Sequence, residues 1–349
     1  METAGVVKAD AYGHGMIEVA RVLAGEGARW LAVSSVEEGV TLRRAGINLG
    51  VLVMAGVLPA EREAVVEHGL TPAVHSLAEL PGLDATAARM GRQLEFHLKI
   101  DSGMGRLGTR ATAGQIQEAV RGLSHARLEG LMTHFASAAD FESKQTEAQI
   151  SYFNGIAETL AAGGISPSYL HLSSTNAIAY PRGSATRVPS RVMVRPGHAI
   201  YGYVSPARGK APGCMLSVKP ALQWKTRIIT VKDVPEGTLI GYGGSYRTAQ
   251  AMRVAILAAG YADGIPHRLS NRGKVIAAGK LTPMLGTVSM DLTTIDVSHA
   301  PQLQPGDPVT LLGTEGNVSL DAQQIAKTAG TISYTVLCGI SARVKRVYV

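Results

Sequence analysis

The feature that most constrains the fold is a regular alternation of strand-like and helix-like segments over residues 1–202. Short β-branched runs are separated by stretches such as 17–25 and 37–45, which are rich in Ala, Glu, Arg and Leu and have helical apolar spacing. Eight such units in about 200 residues predict an α/β fold with a closed (β/α)8 barrel of the TIM type. The predicted strands are residues 5–9, 30–35, 51–56, 72–76, 94–101, 128–135, 169–173 and 191–195.

After Pro220 the pattern changes to β-branched runs divided by turn residues. Runs such as ALQWKTRIITVKDV, TLIGYGGSY and MRVAILAAGYADG are separated from later ones by turn signals such as NRG, QPGD and TEGN. Strands that follow a complete barrel favour a separate domain. We therefore predict a barrel domain over residues 1–218 and a mostly antiparallel β domain over residues 219–349.

The composition is typical of a compact enzyme and argues against several other classes. Charged residues are 17% and hydrophobic residues 46% of the chain, a balance found in folded α/β proteins. The net charge is +7, but Lys and Arg are scattered, which argues against a nucleic-acid partner. Cys214 and Cys338 have neither disulfide nor metal-ligand spacing, so we expect a reducing cytoplasm and no metal. No apolar run is long enough to cross a bilayer, so no membrane partner is expected.

Lys8 lies in the run VVKADAYGHG, where an apolar strand-like stretch meets a glycine-containing turn. Lysines are rarely buried without a partner or a function. A desolvated lysine loses its proton more easily, and a neutral amine condenses with an aldehyde to form a Schiff base. This placement suggests pyridoxal phosphate chemistry. The alternative is a lysine that extends its ammonium to solvent along an apolar stem.

Polar residues recur where the predicted barrel strands end. Barrel enzymes place their reactive groups at the carboxyl ends of the strands, and the loops after strands seven and eight commonly bind phosphate. Taken singly, a histidine there can be a core residue and HLSSTNA an ordinary polar loop. Together these residues predict a site at one rim of the barrel. They are Lys8, Lys99, Asp101, Arg106, His134, Ser173, Ser174, Thr175, Arg195 and Gly197.

At least six motifs in order resemble those of the alanine racemase family, whose members are pyridoxal-phosphate enzymes of fold type III. They are VVKADAYGHG, KIDSGMGRLG, IGYGGSY, GYADG, SMDL and TISY. The resemblance implies interconversion of L- and D-alanine, supplying D-alanine for peptidoglycan. It also implies that Lys8 anchors the cofactor and that Lys8 and Tyr242 act as bases on opposite faces of the substrate. Without the resemblance, Tyr242 is a routine aromatic in a glycine-rich strand.

The resemblance implies further roles for individual residues. Arg106 approaches the substrate carboxylate, and Lys99 is either carbamylated and paired with Arg106 or a plain lysine paired with Asp101. Arg195 meets the ring nitrogen of the cofactor; because arginine keeps its proton, that nitrogen stays neutral, which favours racemisation over transamination. The remaining implied residues are Tyr12, His134, Ser174, Thr175, Gly197, His198 and Tyr334 at the cofactor, Met290 at the substrate, and Tyr261 and Asp291 at the entrance. For Met290 and Tyr334, simple packing is the alternative.

In the family, the β-domain residues complete the site of a neighbouring subunit, so the resemblance implies a head-to-tail homodimer. Members usually carry a few tens of residues ahead of the cofactor lysine; if these are absent here, we expect lower stability or activity. SSTN replaces the usual ANS-type phosphate loop, leaving open whether Ser174 or Thr175 binds the phosphate. Thr287 stands where many members have arginine, and His198 where an aliphatic residue is usual. The alternatives are a racemase for serine or a broader range of amino acids, and a non-catalytic pyridoxal-phosphate-binding protein.

Overall fold

The computed structural model describes residues 1–182 and 188–349, which form two compact units. The first unit comprises residues 1–11 and 15–219, and the second comprises residues 12–14 and 220–349. The change of unit near Pro220 coincides with the change in sequence pattern. The short segment from Tyr12 to His14 belongs to the second unit although it lies in the N-terminal part of the chain.

Within the described residues of the first unit, eight parallel strands close into a barrel in sequence order. Glu2 pairs with Met193 across the closing edge, and Ala4 pairs with Trp30 on the other side of the first strand. The prediction of a TIM-type barrel is confirmed. The strands are β1 (Glu2–Val6), β2 (Trp30–Val33), β3 (Gly50–Val53), β4 (Thr71–Val74), β5 (Leu94–Lys99), β6 (Ala126–Met132), β7 (Tyr169–His171) and β8 (Arg191–Val194).

Helices alternate with these strands and cover the apolar outer surface of the barrel. Two begin with reciprocal capping boxes: Ser35 with Glu38, and Thr112 with Gln115. Such boxes satisfy backbone N–H groups that have no partner within the helix. The helices are α1 (Lys8–Gly13), α2 (Met16–Gly25), α3 (Val36–Arg44), α4 (Arg62–Glu67), α5 (Leu80–Arg89), α6 (Ala113–Arg121), α7 (Gln145–Ala162) and α8 (Thr175–Ala179).

The first strand differs from the prediction. Residues 5–9 were expected to form it, with Lys8 at its end, but β1 ends at Val6 and Lys8 opens the short helical turn α1. The apolar residues continue through Val7, which is buried, and for this reason the predicted strand extends beyond the true end of β1. Val7 donates its backbone N–H to Ala32 at 2.9 Å, so the chain leaves the barrel edge one residue before Lys8.

The second unit is an antiparallel β structure followed by two helices. Its larger sheet has the order β13-β14-β15-β12-β9-β16-β17, β13 also pairs with β16, and β10 and β11 form a separate hairpin. Val234, Ile240, Val254 and Leu285 form part of its core. The strands are β9 (Trp224–Val234), β10 (Leu239–Ile240), β11 (Tyr246–Arg247), β12 (Met252–Leu257), β13 (Lys274–Ala277), β14 (Lys280–Leu285), β15 (Thr293–Asp296), β16 (Pro308–Glu315) and β17 (Val318–Leu320). The helices are α9 (Ala322–Ala329) and α10 (Ser333–Gly339).

No helix in residues 1–182 and 188–349 is long and apolar enough to span a membrane. The same ranges contain no group of three or more His, Cys, Asp or Glu residues arranged to hold a metal ion.

Candidate active site

The backbone directly after Lys8 has an unusual conformation. The four residues from Ala9 to Tyr12 all have positive φ, between 51° and 54°, and so form a left-handed turn. This conformation costs roughly 1–2 kcal/mol for each residue other than glycine. Hydrogen bonds hold the turn at its end: Asp10 accepts the N–H of Gly15 on its carbonyl at 2.9 Å and that of Met16 on its carboxylate at 2.7 Å. Strain of this kind is concentrated at functional sites.

Glu38, on the first turn of α3, anchors the start of this left-handed turn. Its carboxylate accepts the N–H of Ala9 at 2.7 Å, that of Ser34 at 2.6 Å and that of Ser35 at 3.3 Å. One half-buried side chain therefore joins the peptide that follows Lys8 to the carboxyl end of β2. The sequence analysis did not identify Glu38, although the pattern SVEE is a capping-box signal that points to it.

Lys99, at the end of β5, lies in a strongly positive environment. Burial, followed by the nearby cations Arg106, Arg195 and Lys8, lowers its pKa to about 8, although Asp101 acts in the opposite direction. The Asp101 carboxylate accepts backbone N–H groups from Gly103, Met104 and Gly105 at 3.0–3.1 Å. Asp101 thus shapes the loop that carries Arg106.

His134 follows β6 and lies in the same positive field. Burial is the largest cause that lowers its pKa to about 3, and Arg195, Lys99, Arg106 and Lys8 contribute in that order. The ring is therefore neutral near neutral pH. Because Lys8, Lys99, Arg106 and Arg195 all lower the pKa of His134, the five residues form one group at the carboxyl end of the barrel.

Arg195, after β8, is 3% exposed and is held by the barrel itself. Its guanidinium donates to the carbonyl of His171 at 2.9 Å and to that of Thr133 at 2.6 Å. Burial lowers its pKa to about 10, so Arg195 stays charged near neutrality. Carbonyl acceptors fix its orientation without neutralising its charge.

The loops after β7 and β8 are joined by Thr175. Its hydroxyl oxygen accepts the N–H of Gly197 at 3.1 Å and that of Ala199 at 3.2 Å. Ser174 is half-buried and lies immediately before α8. His198 is 1% exposed and stacks on Tyr203 with ring centroids 5.1 Å apart. An anion bound at these loops would accept the N–H groups of Gly197 and Ala199 together with Thr175 or in its place. The Ser174 hydroxyl makes no helix-capping hydrogen bond.

Three buried residues beneath this rim were not identified from the sequence. His97 on β5 contacts the Glu129 carboxylate on β6 at 3.1 Å, and its ring lies 4.7 Å from that of His171 on β7. Burial lowers the pKa values of both histidines. The alternation of side chains along the strand LEFHLK predicts that His97 and Leu94 lie on opposite faces of β5. It does not reveal that the partner of His97 is a carboxylate from the next strand.

In the second unit, Tyr12 and Tyr334 lie together. Their ring centroids are 5.8 Å apart. Burial raises the pKa of Tyr12, and Tyr334 and Cys338 raise it further, so its hydroxyl remains protonated and can donate a hydrogen bond. Arg346 donates to the Gly13 carbonyl at 2.9–3.0 Å and so holds the residue next to Tyr12.

A second group in this unit surrounds an open cavity of about 450 Å³. Tyr242 projects beside it and is 75% exposed, and Met290 is 53% exposed. Arg343 pairs with Asp291 at 2.8 Å, and Tyr261 donates its N–H to Ser289 at 3.0 Å. The cavity is lined by Gly241, Tyr242, Ser289, Met290, Asp291 and Leu292.

Two profiles of known protein families match the two parts of this chain. The profile described as "Alanine racemase, N-terminal domain" matches residues 1–206, and "Alanine racemase, C-terminal domain" matches residues 221–348. The chain belongs to the alanine racemase family. Members of this family are isomerases that depend on pyridoxal phosphate.

Individual alanine racemases are similar over nearly the whole chain. The enzyme of Halothermothrix orenii is 41% identical over 345 residues, which are 98% of this chain and 89% of that protein. The enzyme of Symbiobacterium thermophilum is 40% identical with the same coverage. The crystal structure of alanine racemase from D-cycloserine-producing Streptomyces lavendulae has a TM-score of 0.90 at 31% identity and covers 100% of this chain and 90% of that one.

The residues of the first unit fit pyridoxal phosphate, which carries an aldehyde and a phosphate dianion. The cations Lys8, Lys99, Arg106 and Arg195 are close enough that some of them lower the pKa values of Lys99 and His134. A concentration of positive charge with few acidic groups favours an anionic ligand. The Lys8 side chain ends in an amine, the type of group with which an aldehyde condenses.

Proposed function

We propose that the chain interconverts L- and D-alanine with pyridoxal phosphate, using Lys8 and Tyr242 as two opposed bases. The observation that carries this proposal is the positive group around Lys8, Lys99 and Arg195 at the end of a barrel whose sequence matches the alanine racemase family. The Lys8 amine would hold the cofactor aldehyde. The site would then supply D-alanine for peptidoglycan, in the cytoplasm.

The cofactor would be held by groups from several elements. The Ser174 and Thr175 hydroxyls are both candidate phosphate donors, because the Thr175 oxygen accepts the N–H groups of Gly197 and Ala199 and keeps its own O–H hydrogen for an anion. Backbone N–H groups near Gly197 and His198 would complete this binding. When bound, pyridoxal phosphate withdraws electrons from the substrate Cα and makes its proton acidic.

Arg195 would set the character of the cofactor ring. Two backbone carbonyls fix its guanidinium, which stays charged near neutral pH. A group that meets its remaining N–H donors must accept a hydrogen bond, so a ring nitrogen there would stay unprotonated. An unprotonated ring nitrogen limits electron withdrawal into the ring. Reprotonation would then take place at the substrate Cα, which favours racemisation over transamination.

Two residues would orient the substrate. Arg106 is exposed on the loop that Asp101 shapes, and its planar fork suits a carboxylate. Because the pKa of Lys99 is about 8, a fraction of this amine is neutral near neutrality, and carbamylation needs a neutral amine. A carbamylated Lys99 would pair with Arg106; an unmodified Lys99 would leave the site more positive. Neutral His134 would act only through hydrogen bonds.

Racemisation requires a proton to leave one face of Cα and another to arrive on the opposite face. Lys8 would serve the D enantiomer and Tyr242 of a second copy of the chain the L enantiomer, in a head-to-tail homodimer. We propose that residues 219–349 contribute this second half, with Met290 at the substrate and Tyr261 and Asp291 at the entrance. The exposed aromatic and methionine side chains around the Tyr242 cavity support an interface there.

Turnover of separate amino acids tests the proposed activity. We expect the protein loaded with pyridoxal phosphate to convert L-alanine to D-alanine until the two are equal, and to do so faster than it converts L-serine. Chiral chromatography measures both products. Faster conversion of serine would assign the chain to the serine or broad-specificity alternative. Loaded protein that converts neither would support the non-catalytic alternative.

A further inference from the structure

The loop that carries Tyr242 joins β10 to β11, is rich in glycine, and has one internal backbone hydrogen bond, from the N–H of Gly244 to the Gly241 carbonyl at 3.0 Å. Tyr242 stands between Gly241, with φ of 77°, and Gly243, with φ of 69°, and Gly244 follows with φ of 56°. Glycine reaches positive φ readily but leaves the chain many other conformations. A base on such a loop needs outside contacts to hold its position, because a shift of about 1 Å can cost about 100-fold in rate.

A series of side-chain hydrogen bonds in the second unit ends on this loop. The Thr287 hydroxyl donates to the Tyr242 carbonyl at 3.2 Å and contacts the Ser245 hydroxyl at 2.9 Å. Thr287 has one hydroxyl hydrogen, and the carbonyl takes it, so Ser245 must donate to Thr287. Asn271 in turn donates to the Ser245 hydroxyl at 3.3 Å and to its carbonyl at 3.1 Å. The bonds therefore run in one direction from Asn271 through Ser245 and Thr287 to Tyr242.

Asn271, at the other end of this series of hydrogen bonds, is fixed to the backbone. The Asn271 side-chain oxygen accepts the N–H of Gly286 at 2.6 Å, and Asn271 itself has φ of 58°. Gly241 packs so closely that a Cβ placed there would lie 2.7 Å from the Thr287 backbone nitrogen. The segment that contains Gly286 and Thr287 is thus both in steric contact with the Tyr242 loop and hydrogen bonded to it.

We propose that Thr287 is a positioning residue for Tyr242, which it holds through the Tyr242 carbonyl in concert with Ser245 and Asn271. This inference rests on the proposed function, in which Tyr242 removes the α-proton of L-alanine. Thr287 does not exchange protons with the substrate. It limits the arrangements of the glycine-rich loop to the one that presents the Tyr242 ring.

The test uses Thr287→Val in the loaded holoenzyme. Valine keeps the shape of threonine and removes the hydroxyl. In deuterated water we expect α-proton exchange of L-alanine to fall about tenfold and that of D-alanine to fall less than about twofold, because Tyr242 is displaced and Lys8 is not. Thr287→Ser retains the hydroxyl and is expected to restore exchange of L-alanine. Mass spectrometry of each enantiomer gives the two rates.

Thr282→Val is the matched control. Thr282 is buried in the same unit, and its hydroxyl also donates to a backbone carbonyl, that of Lys280, at 3.2 Å, but it makes no contact with the Tyr242 loop among the contacts described above. We expect it to leave the ratio of the two exchange rates unchanged. Equal losses for both enantiomers in Thr287→Val, or an unchanged L-alanine rate, would overturn the inference. If Tyr242→Phe also left L-alanine exchange intact, the proposed function of Tyr242 would fail as well.

Discussion

Lys8→Ala is expected to abolish racemisation of alanine and to remove the visible absorbance band that lysine-bound pyridoxal phosphate gives. The variant lacks the amine that holds the aldehyde and the base that serves the D enantiomer. Covalent catalysis and proton transfer are lost together, so we expect a fall of at least about 1,000-fold, with general base catalysis alone contributing about 100- to 10,000-fold. Absorbance spectra and chiral chromatography of the purified variant measure the two losses.

Lys144→Ala serves as the control for this variant. Lys144 is an exposed lysine of the same unit, immediately before α7, and its loss should leave the band and the activity unchanged. Circular dichroism of both variants checks that each is folded. A Lys8→Ala protein that kept both the band and the activity would refute the assignment of the cofactor lysine.

Tyr242→Phe is expected to stop removal of the α-proton from L-alanine while leaving most removal from D-alanine. The equilibrium constant of a racemase is one, so kcat/KM must fall equally in both directions and does not reveal which face is affected. Exchange of the α-proton with deuterated water does reveal it, because each face has its own base. We expect L-alanine exchange to fall by at least about 100-fold and D-alanine exchange by less than about threefold.

Tyr246→Phe is the neighbouring control for the Tyr242 variant. Tyr246 lies four residues further along, in β11, and packs against the core of the second unit. Loss of its hydroxyl should change neither exchange rate. Equal losses for both enantiomers in Tyr242→Phe would contradict a role on one face only.

The architecture and the grouping of charged residues were accessible from the sequence. Eight apolar runs that alternate with helical segments predict a closed parallel barrel, and the carboxyl ends of its strands meet at one rim, where Lys99, His134 and Arg195 lie. The antiparallel second unit followed from β-branched runs and turn residues. These features depend on periodicity, which single-sequence reasoning reads well.

The details that the sequence did not reveal depend on tertiary contacts. Lys8 was placed in a strand because apolar residues continue through Val7, whereas the following left-handed turn is stabilised by Asp10 and by Glu38 from a distant helix. Asn271 and Thr287 are short polar residues with no pattern of their own, and their hydrogen bonds to the Tyr242 loop arise only when separate β segments meet. No local propensity encodes such pairings.

Reduction of the loaded protein with borohydride, followed by peptide mass mapping, identifies the lysine that holds the cofactor. Borohydride fixes pyridoxal phosphate covalently to that lysine. We expect the label on the peptide that contains Lys8 and on no other lysine. Label on Lys99, whose pKa of about 8 leaves part of its amine neutral, or on no lysine at all, would contradict the assignment of Lys8.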